Sequence, residues 1–306
     1  MSTPTEDGRA EPIKAVPVRH VGRWVAGVIV LALAALAIRS IIVNPNFHWD
    51  IIGPYLFDSR IADALLTTLR LTLLSMIVGV VGGVVLAVMR LSPNPLVSGA
   101  AGIYIWLFRG TPLITQLIFW AYLGALYPTF GLGIPFGPEF VTWQTIATIT
   151  VPVAAVLGLG LNEAAYMSEI VRAGIQSIDE GQTEAASALG MTRGKILRRI
   201  VLPQAMRVII PPTGNQVISM LKTTSLVVVI GEKELMVTVG QIYAQNFLVI
   251  PLLIVAAIWY LVCTSVLTVI QGWIERKFAR GSTAMPNQPG WASRMFAFRF
   301  SRKEYE

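Results

Sequence analysis

Six apolar stretches, each long enough to cross a membrane as a helix, dominate this chain. A helix needs roughly 20 apolar residues to cross the hydrocarbon core of a bilayer, which is about 30 Å thick. Only 13% of the residues are charged, against roughly 25% in an ordinary soluble domain. The sequence therefore predicts an all-α, polytopic membrane bundle of about six transmembrane helices, with spans at 24–43, 64–89, 106–127, 144–168, 206–230 and 249–274.

The basic residues predict which ends of these spans face the cytoplasm. Most of the 24 Lys and Arg residues lie in four segments that the spans place on one side, namely 1–23, 90–105, 169–205 and 275–306. The segments of the opposite side contain only Arg60 and Lys233. Because cytoplasmic loops carry an excess of Lys and Arg, both chain ends are predicted to be cytoplasmic. The net charge of +7 is thus a signal of topology, and no basic patch interleaved with exposed aromatic residues indicates nucleic acid.

A polar segment between the fourth and fifth spans has the layout of two short helices. Asp179 and Gln182, three residues apart, have the spacing of a capping box and predict a helix start. Gly190 supplies the left-handed conformation that ends a helix. Thr192 is suited to cap a second helix, and Pro203 is predicted to break it. The residues alone leave two interpretations open, a solvated loop and a docking surface for a soluble partner.

Polar side chains inside the spans indicate a route for a polar solute. A charged side chain near the bilayer centre costs on the order of 2.5–3.5 kcal/mol, and Lys222 lies in the middle of a span. Glu163 has no basic residue three or four positions away, so an ion pair with Lys222 and contact with a substrate ammonium group are both open. The pair Pro211-Pro212, with Gly214, predicts a helix break against protein or a water-filled cavity. The predicted path residues are Asn162, Glu163, Tyr166, Asn215, Gln216, Lys222 and Thr224.

Three further charged residues fit a gating role or a structural one. Glu169 and Arg172 are three residues apart and can pair within one helix. Arg109 lies near the inner end of its span, where a long basic side chain can reach the interface. Gly79 and Gly83 have the spacing of small residues that seat a neighbouring helix.

The sequence predicts no cofactor, metal or catalytic site in this chain. The string from Gly190 to Ile196 comes nearest to a phosphate-binding loop, but it has three residues between its glycines instead of four and lacks the Ser or Thr after the lysine. Cys263 is the only cysteine, and His20 and His48 lie far apart, so no metal cluster is indicated. The sequence therefore lacks the phosphate-binding loop with which an ATPase of that type would hold ATP.

The polar segment resembles the EAA loop of bacterial ABC importer permeases at every defined position. The matching residues are Glu184, Ala185, Ala186, Gly190, Ile200, Leu202 and Pro203. Further segments resemble the polar amino-acid branch of that family, and the resemblance covers about 60–275. They are Phe108–Leu113, Ala165–Arg172, Gly181–Glu184, Leu202–Ala205 and Leu221–Leu226.

This resemblance implies the permease subunit of an ATP-driven importer for polar or charged amino acids. It implies that the helix from Glu184 to Gly190 couples the chain to a cytoplasmic ATPase, which binds ATP and Mg. The other implied partners are a second permease copy or homologue, an extracytoplasmic solute-binding protein and the lipid bilayer of the bacterial inner membrane. Thr223 stands where many relatives have Asp, which weakens a charge pairing beside Lys222.

The resemblance also divides the chain. Residues 1–23 are a predicted cytoplasmic tail, and 24–59 hold an additional first helix and its outer loop, whose role is unassigned. The permease domain is 60–275, with the EAA loop at 179–205. The tail 276–306 mixes basic and aromatic residues, which leaves both disorder and contact with the anionic inner leaflet open.

Two other classes of function remain as alternatives. An ion-gradient-driven secondary transporter of a small polar solute would use Glu163 and Glu169 as proton carriers, but it would have no purpose for an EAA-like loop. A membrane enzyme would need a cluster of His, Asp, Ser or metal ligands, which the sequence lacks.

Overall fold

The computed structural model describes residues 21–134 and 139–279, and the chain divides into two compact units between Trp49 and Asp50. The predictions for residues 1–20 of the first tail and 280–306 of the second lie outside the described residues. The first unit contains helix α1, Val21–Val43, which is apolar on every side and long enough to span a bilayer. Asn44 then caps a short 3₁₀ turn over Pro45–Phe47.

The second unit is a helical bundle, and the predicted all-α membrane fold is confirmed. The described residues contain four helices that are long and apolar enough to cross a membrane, α1 among them. The helices of the second unit are α2 (Trp49–Leu56), α3 (Ser59–Arg90), α4 (Pro95–Gly110), α5 (Leu113–Ala121), α6 (Leu123–Leu126), α7 (Thr145–Thr148), α8 (Val151–Gln176), α9 (Glu180–Ala188), α10 (Arg193–Ile196), α11 (Leu202–Thr223), α12 (Leu235–Asn246) and α13 (Val249–Ala279).

Helices α3 and α8 form the central pair of the bundle. A Cβ built on Gly79 would lie 2.6 Å from Glu163 Cγ, and one on Gly83 would lie 2.5 Å from Met167 Cβ. One turn earlier, Gly160 approaches the backbone of Ser75. The contacting positions increase together along both helices, so α3 and α8 run parallel. The predicted role of the two α3 glycines, to seat a neighbouring helix, is confirmed.

The predicted span 106–127 is wrong as a continuous helix. Pro112 restricts the residue before it to an extended conformation, and Thr111 has φ −112° and ψ 146°. Helix α4 therefore ends at Gly110, and α5 begins at Leu113. The carbonyl of Phe108, exposed by this break, accepts hydrogen bonds from Gln116 and from Asn162 of α8, both at 2.9 Å.

The predicted break at Pro211-Pro212 is also wrong, because α11 stays helical from Leu202 to Thr223. Gln271 of α13 donates to the Pro211 carbonyl at 3.3 Å, which satisfies an acceptor beside the kink-prone pair. A Cβ on Gly214 would lie 2.7 Å from Gln271 Cγ, so this glycine gives α13 room to approach. The chain tightens to a 3₁₀ helix only at Thr224–Ile230, so the predicted span 206–230 combines two helix types.

A small antiparallel hairpin, which the all-helical prediction did not include, precedes α8. Its strands are β1 (Thr129–Gly133) and β2 (Glu139–Gln144), paired from Thr129 with Gln144 and with a register shift at Leu132/Gly133. Because β2 and α7 occupy the start of the predicted span 144–168, the long helix α8 begins only at Val151.

Glu234 joins α12 to two membrane helices. Its side chain is fully buried and accepts hydrogen bonds from the Val237 amide at 2.9 Å and from the Tyr260 hydroxyl of α13 at 3.1 Å. The adjacent Leu235 amide donates to the Thr68 hydroxyl of α3 at 3.1 Å. Burial raises the pKa of the Glu234 carboxyl above its ordinary value of 4.5, against the effect of these donors.

This carboxyl makes stability depend on pH. The Glu234 carboxyl binds its proton more tightly in the folded protein than in the unfolded chain. Its contribution to the free energy of unfolding is therefore fully present below pH 4.5 and is lost as the pH rises through the raised pKa. We expect the melting temperature of the purified protein to fall more over that window than that of Glu234→Gln, which cannot ionise. Thermal unfolding of both proteins across a pH series measures this difference, and identical slopes would contradict it.

Candidate coupling surface and translocation path

The polar segment folds into a short helix that ends in a tight glycine turn. The Asp179 carboxylate accepts from the Gly181 amide at 2.7 Å, so the predicted cap is confirmed. At the other end Gly190 has φ +76°, a conformation that favours glycine. The Met191 amide donates to the Ala186 carbonyl at 3.1 Å, and the Gly190 amide donates to Ser187 at 2.9 Å. These two bonds form a Schellman motif, which fixes the end of α9.

The two alanines of the EAA signature have opposite environments. Ala185 is exposed together with Glu184, whereas Ala186 is 3% exposed and packs in a cluster with Ile196 and Val201. Ala186 therefore supports α9 from beneath. The small cluster positions α9 on the surface of the segment, so that Glu184 faces outward.

An open groove of about 460 Å³ lies beside α9. Four of the predicted coupling residues line it, namely Ala185, Ala186, Ile200 and Pro203. The five other lining residues were not among the predicted coupling residues: Gln182, Leu189, Met191, Arg199 and Gln204. Leu189 is 84% exposed, an unusual position for a large apolar side chain unless it meets a partner. A signal for it was present in the sequence, because Leu189 immediately precedes the helix-ending glycine.

The prediction that Pro203 breaks the second helix is wrong. A π turn over Leu197–Val201 connects α10 directly to α11, and Pro203 lies in the first turn of α11. Pro203 lacks the amide that would donate back into the preceding turn, and the wider π turn lies where that bond is missing. Thr192 occupies the start of α10 without a capping bond from its side chain. The coupling segment is therefore one continuous path into α11, with Leu202 exposed and Ile200 half-buried.

The predicted path residues on α8 face different neighbours. Asn162 uses both hydrogens of its amide nitrogen, on the Phe108 carbonyl and on Gln116 Oε1 at 3.1 Å. Tyr166 lies against Arg109, whose guanidinium carbon is 5.2 Å from the ring centroid, a distance typical of a cation–π contact. Arg109 is exposed at the end of α4.

Glu163 is 7% exposed and lies between α3 and α11. It accepts a hydrogen bond from the Gln216 side chain, and its Oε1 has no hydrogen-bond partner. The ion pairs within the described residues do not include one between Glu163 and Lys222. The intrahelical pair predicted for Glu169 and Arg172 is present at 2.6 Å.

Helix α11 presents a row of polar residues at its surface. Asn215, Ser219 and Lys222 are exposed, and Gln216 is half-buried. Thr224 instead is fully buried and donates to the Leu221 carbonyl at 2.7 Å. Such a polar face cannot be directed at lipid without a large cost. Among 21–134 and 139–279, no group of three or more His, Cys, Asp or Glu side chains has the arrangement of a metal site.

Comparison with known proteins identifies the family. The binding-protein-dependent transport system inner membrane component family matches residues 79–280. An arginine transport system permease of Corynebacterium glutamicum is 54% identical over 274 residues, which cover 89% of this chain and 85% of that protein. An arginine transport system permease of Bacillus subtilis is 38% identical over 71% of this chain and 91% of the relative.

A solved structure agrees with these relatives. The crystal structure of an amino acid ABC transporter with histidines has a chain that is 33% identical, with a TM-score of 0.61 and coverage of 74% of this chain and 97% of that one. The family match, the relatives and this fold agree on one class of membrane protein, and no secondary transporter is among them. The chain belongs to the binding-protein-dependent transport family, as the amino-acid permease subunit of an ATP-driven importer.

Proposed function

We propose that this permease imports a basic amino acid and that the groove beside α9 receives the cytoplasmic ATPase. Ala185 and Leu189, at the Schellman turn, line that groove, and exposed Glu184 precedes Ala185 on the same helix. This is the observation that carries the proposal, because an exposed apolar side chain on a rigid, capped helix is suited to insertion into a partner. ATP and Mg bind to the ATPase, and the present chain contributes no catalytic residue.

A movement of the ATPase would be transmitted to the membrane helices through a short stretch of this chain. The π turn joins the coupling segment to α11 without a flexible linker, and α11 contains the polar face with Asn215 and Lys222. A push on α9 therefore displaces the helix that we assign to the translocation path. The excess of basic residues in the 169–205 segment supports a cytoplasmic location for this surface.

The polar face of α11 also indicates the second permease subunit. Its exposed side chains need either water or protein within the membrane. A second copy, or a homologous permease, placed against this face would enclose them in a shared cavity. A solute-binding protein on the outer side would deliver the substrate to that cavity.

The basic substrate is supported by two relatives, at 54% and 38% identity, that are named as arginine permeases. Proteoliposomes that contain this permease, its ATPase and its binding protein are expected to accumulate labelled arginine only when ATP is present in the compartment of the ATPase. Glutamate in place of arginine is the matched control for substrate charge. Uptake driven by a pH gradient without ATP would overturn the coupling, and equal uptake of glutamate would overturn the basic substrate.

A further inference from the structure

Glu163 is a buried carboxylate without a cation. Ionisable groups in a protein interior are paired with opposite charges or fully hydrogen-bonded, because burying an unpaired charge costs on the order of several kcal/mol. Oε1 of Glu163 has no partner, although the side chain is more than nine-tenths buried. The nearest charged residues along α8, Glu169 and Arg172, already pair with each other at 2.6 Å.

The fold makes room for this side chain. Gly79 of α3 faces it, and any side chain at that position would meet Glu163 Cγ or Cβ at 2.6–2.8 Å. The unpaired hydroxyl of Ser75 lies one turn before Gly79 on the same helix. Two buried oxygens without donors thus occur along one seam, between two helices that glycines bring into contact. The Ser75 hydroxyl can donate as well as accept, whereas an ionised carboxylate can only accept, so Oε1 of Glu163 is the atom that needs a donor.

We propose that Glu163 is the specificity-determining group that binds the cationic side chain of the substrate, a guanidinium or ammonium group. This inference rests on the proposed function, which supplies a basic amino acid. The amide of Gln216 now donates one N–H to the carboxylate. A guanidinium carries five N–H donors in a planar fork and can give a carboxylate two parallel, charge-assisted bonds. It therefore satisfies Oε1, which the single amide leaves unpaired.

The position of Gln216 gives the ligand an approach. Gln216 is half-buried and adjoins exposed Asn215 on the polar face of α11. A ligand in the cavity on that face reaches Glu163 by displacing one neutral side chain. Neither Lys222 nor Arg172 pairs with the carboxylate, since Lys222 is exposed and Arg172 pairs with Glu169.

Equilibrium binding to the permease–ATPase complex in nanodiscs, without the binding protein, tests this assignment. The probes are labelled arginine and citrulline, which has the same length but a neutral urea group. We expect the wild-type complex to bind arginine more tightly than citrulline. Glu163→Gln is expected to weaken arginine binding roughly 10- to 100-fold, the range for hydrogen bonds to a charged group, and to leave citrulline binding unchanged.

Two further variants make the result specific. Asp63→Asn removes the same charge from an exposed position of α3 and is expected to behave as wild type. Glu163→Asp keeps the charge and is expected to retain part of the preference for arginine. Absence of arginine binding, equal binding of both probes to the wild type, or undiminished arginine binding by Glu163→Gln would each overturn the assignment. If the wild type discriminates but ATP drives no uptake, the proposed function fails and the binding site stands.

Discussion

Gly190→Asp is expected to abolish ATP-driven uptake, while Gly190→Asn retains most of it. Both side chains have open space around the Cβ position, since no atom lies within 4 Å of it. Both also meet the same backbone requirement, because Gly190 has φ +76° and Asn and Asp tolerate this conformation better than other residues. The two variants therefore differ mainly in the negative charge that aspartate places at the edge of the proposed ATPase groove.

The measurement is arginine uptake into proteoliposomes, together with the amount of permease in the membrane and the amount of ATPase that copurifies with it. We expect Gly190→Asp to insert normally and to lose both the ATPase and uptake. Glu184→Lys, which reverses the exposed charge on the same helix, is expected to give the same pattern. Wild-type transport by Gly190→Asp or Glu184→Lys would remove the docking assignment from this surface.

Gly83→Ala is expected to destabilise the bundle strongly. The new methyl group would lie 2.5 Å from Met167 Cβ and 3.0 Å from backbone atoms of Met167 and Ser168, which cannot rotate away. Overpacking of this kind costs typically about 1–3 kcal/mol. Since α3 and α8 share the largest interface of the bundle, we expect a lower melting temperature and less assembled complex.

Gly99→Ala provides the matched control for this change. Gly99 is also a helical glycine, in α4, but no atom lies within 4 Å of a Cβ built there. Alanine favours the helix over glycine by roughly 1 kcal/mol, so Gly99→Ala is expected to keep or slightly raise the melting temperature. Thermal unfolding of the two variants in the same detergent compares them, and equal melting temperatures would show that the α3–α8 contact is less tight than the distances indicate.

Local signals in the sequence were sufficient for several parts of the site. Asp179 and Gly190 act through hydrogen bonds and backbone angles of their immediate neighbours, so their roles could be predicted from spacing. The pair of Glu169 and Arg172 lies within one helical turn, and the same reasoning found it. Hydropathy alone was enough to find α3 and α13, whose mean hydropathy is high. It found α8 as well, but it misplaced the start of that less apolar helix.

Features that depend on a neighbouring element could not be predicted in this way. The helix break at Pro112 frees the Phe108 carbonyl, which accepts from Asn162, 54 residues later in the sequence. Beside Pro211-Pro212 the helix is contacted by Gln271 of α13, which is also far away in the sequence. The inward direction of Ala186 depends on where Ile196 and Val201 lie. The second strand of the hairpin had a usable signal in its aromatic and β-branched residues, but its position beside long apolar runs concealed it.

The parallel arrangement of α3 and α8 has a consequence for the order in which the chain folds. The segment between them must run back in the opposite direction, and α4 and α5, at about 24 Å and about 14 Å by the rise of an α-helix, are each too short to do this alone. At their junction the Phe108 carbonyl accepts from Gln116 within the return segment and also from Asn162, which the ribosome adds 54 residues after Phe108. The return segment can thus form its own turn early, but it gains its hydrogen bond to α8 only after Asn162 has been synthesised.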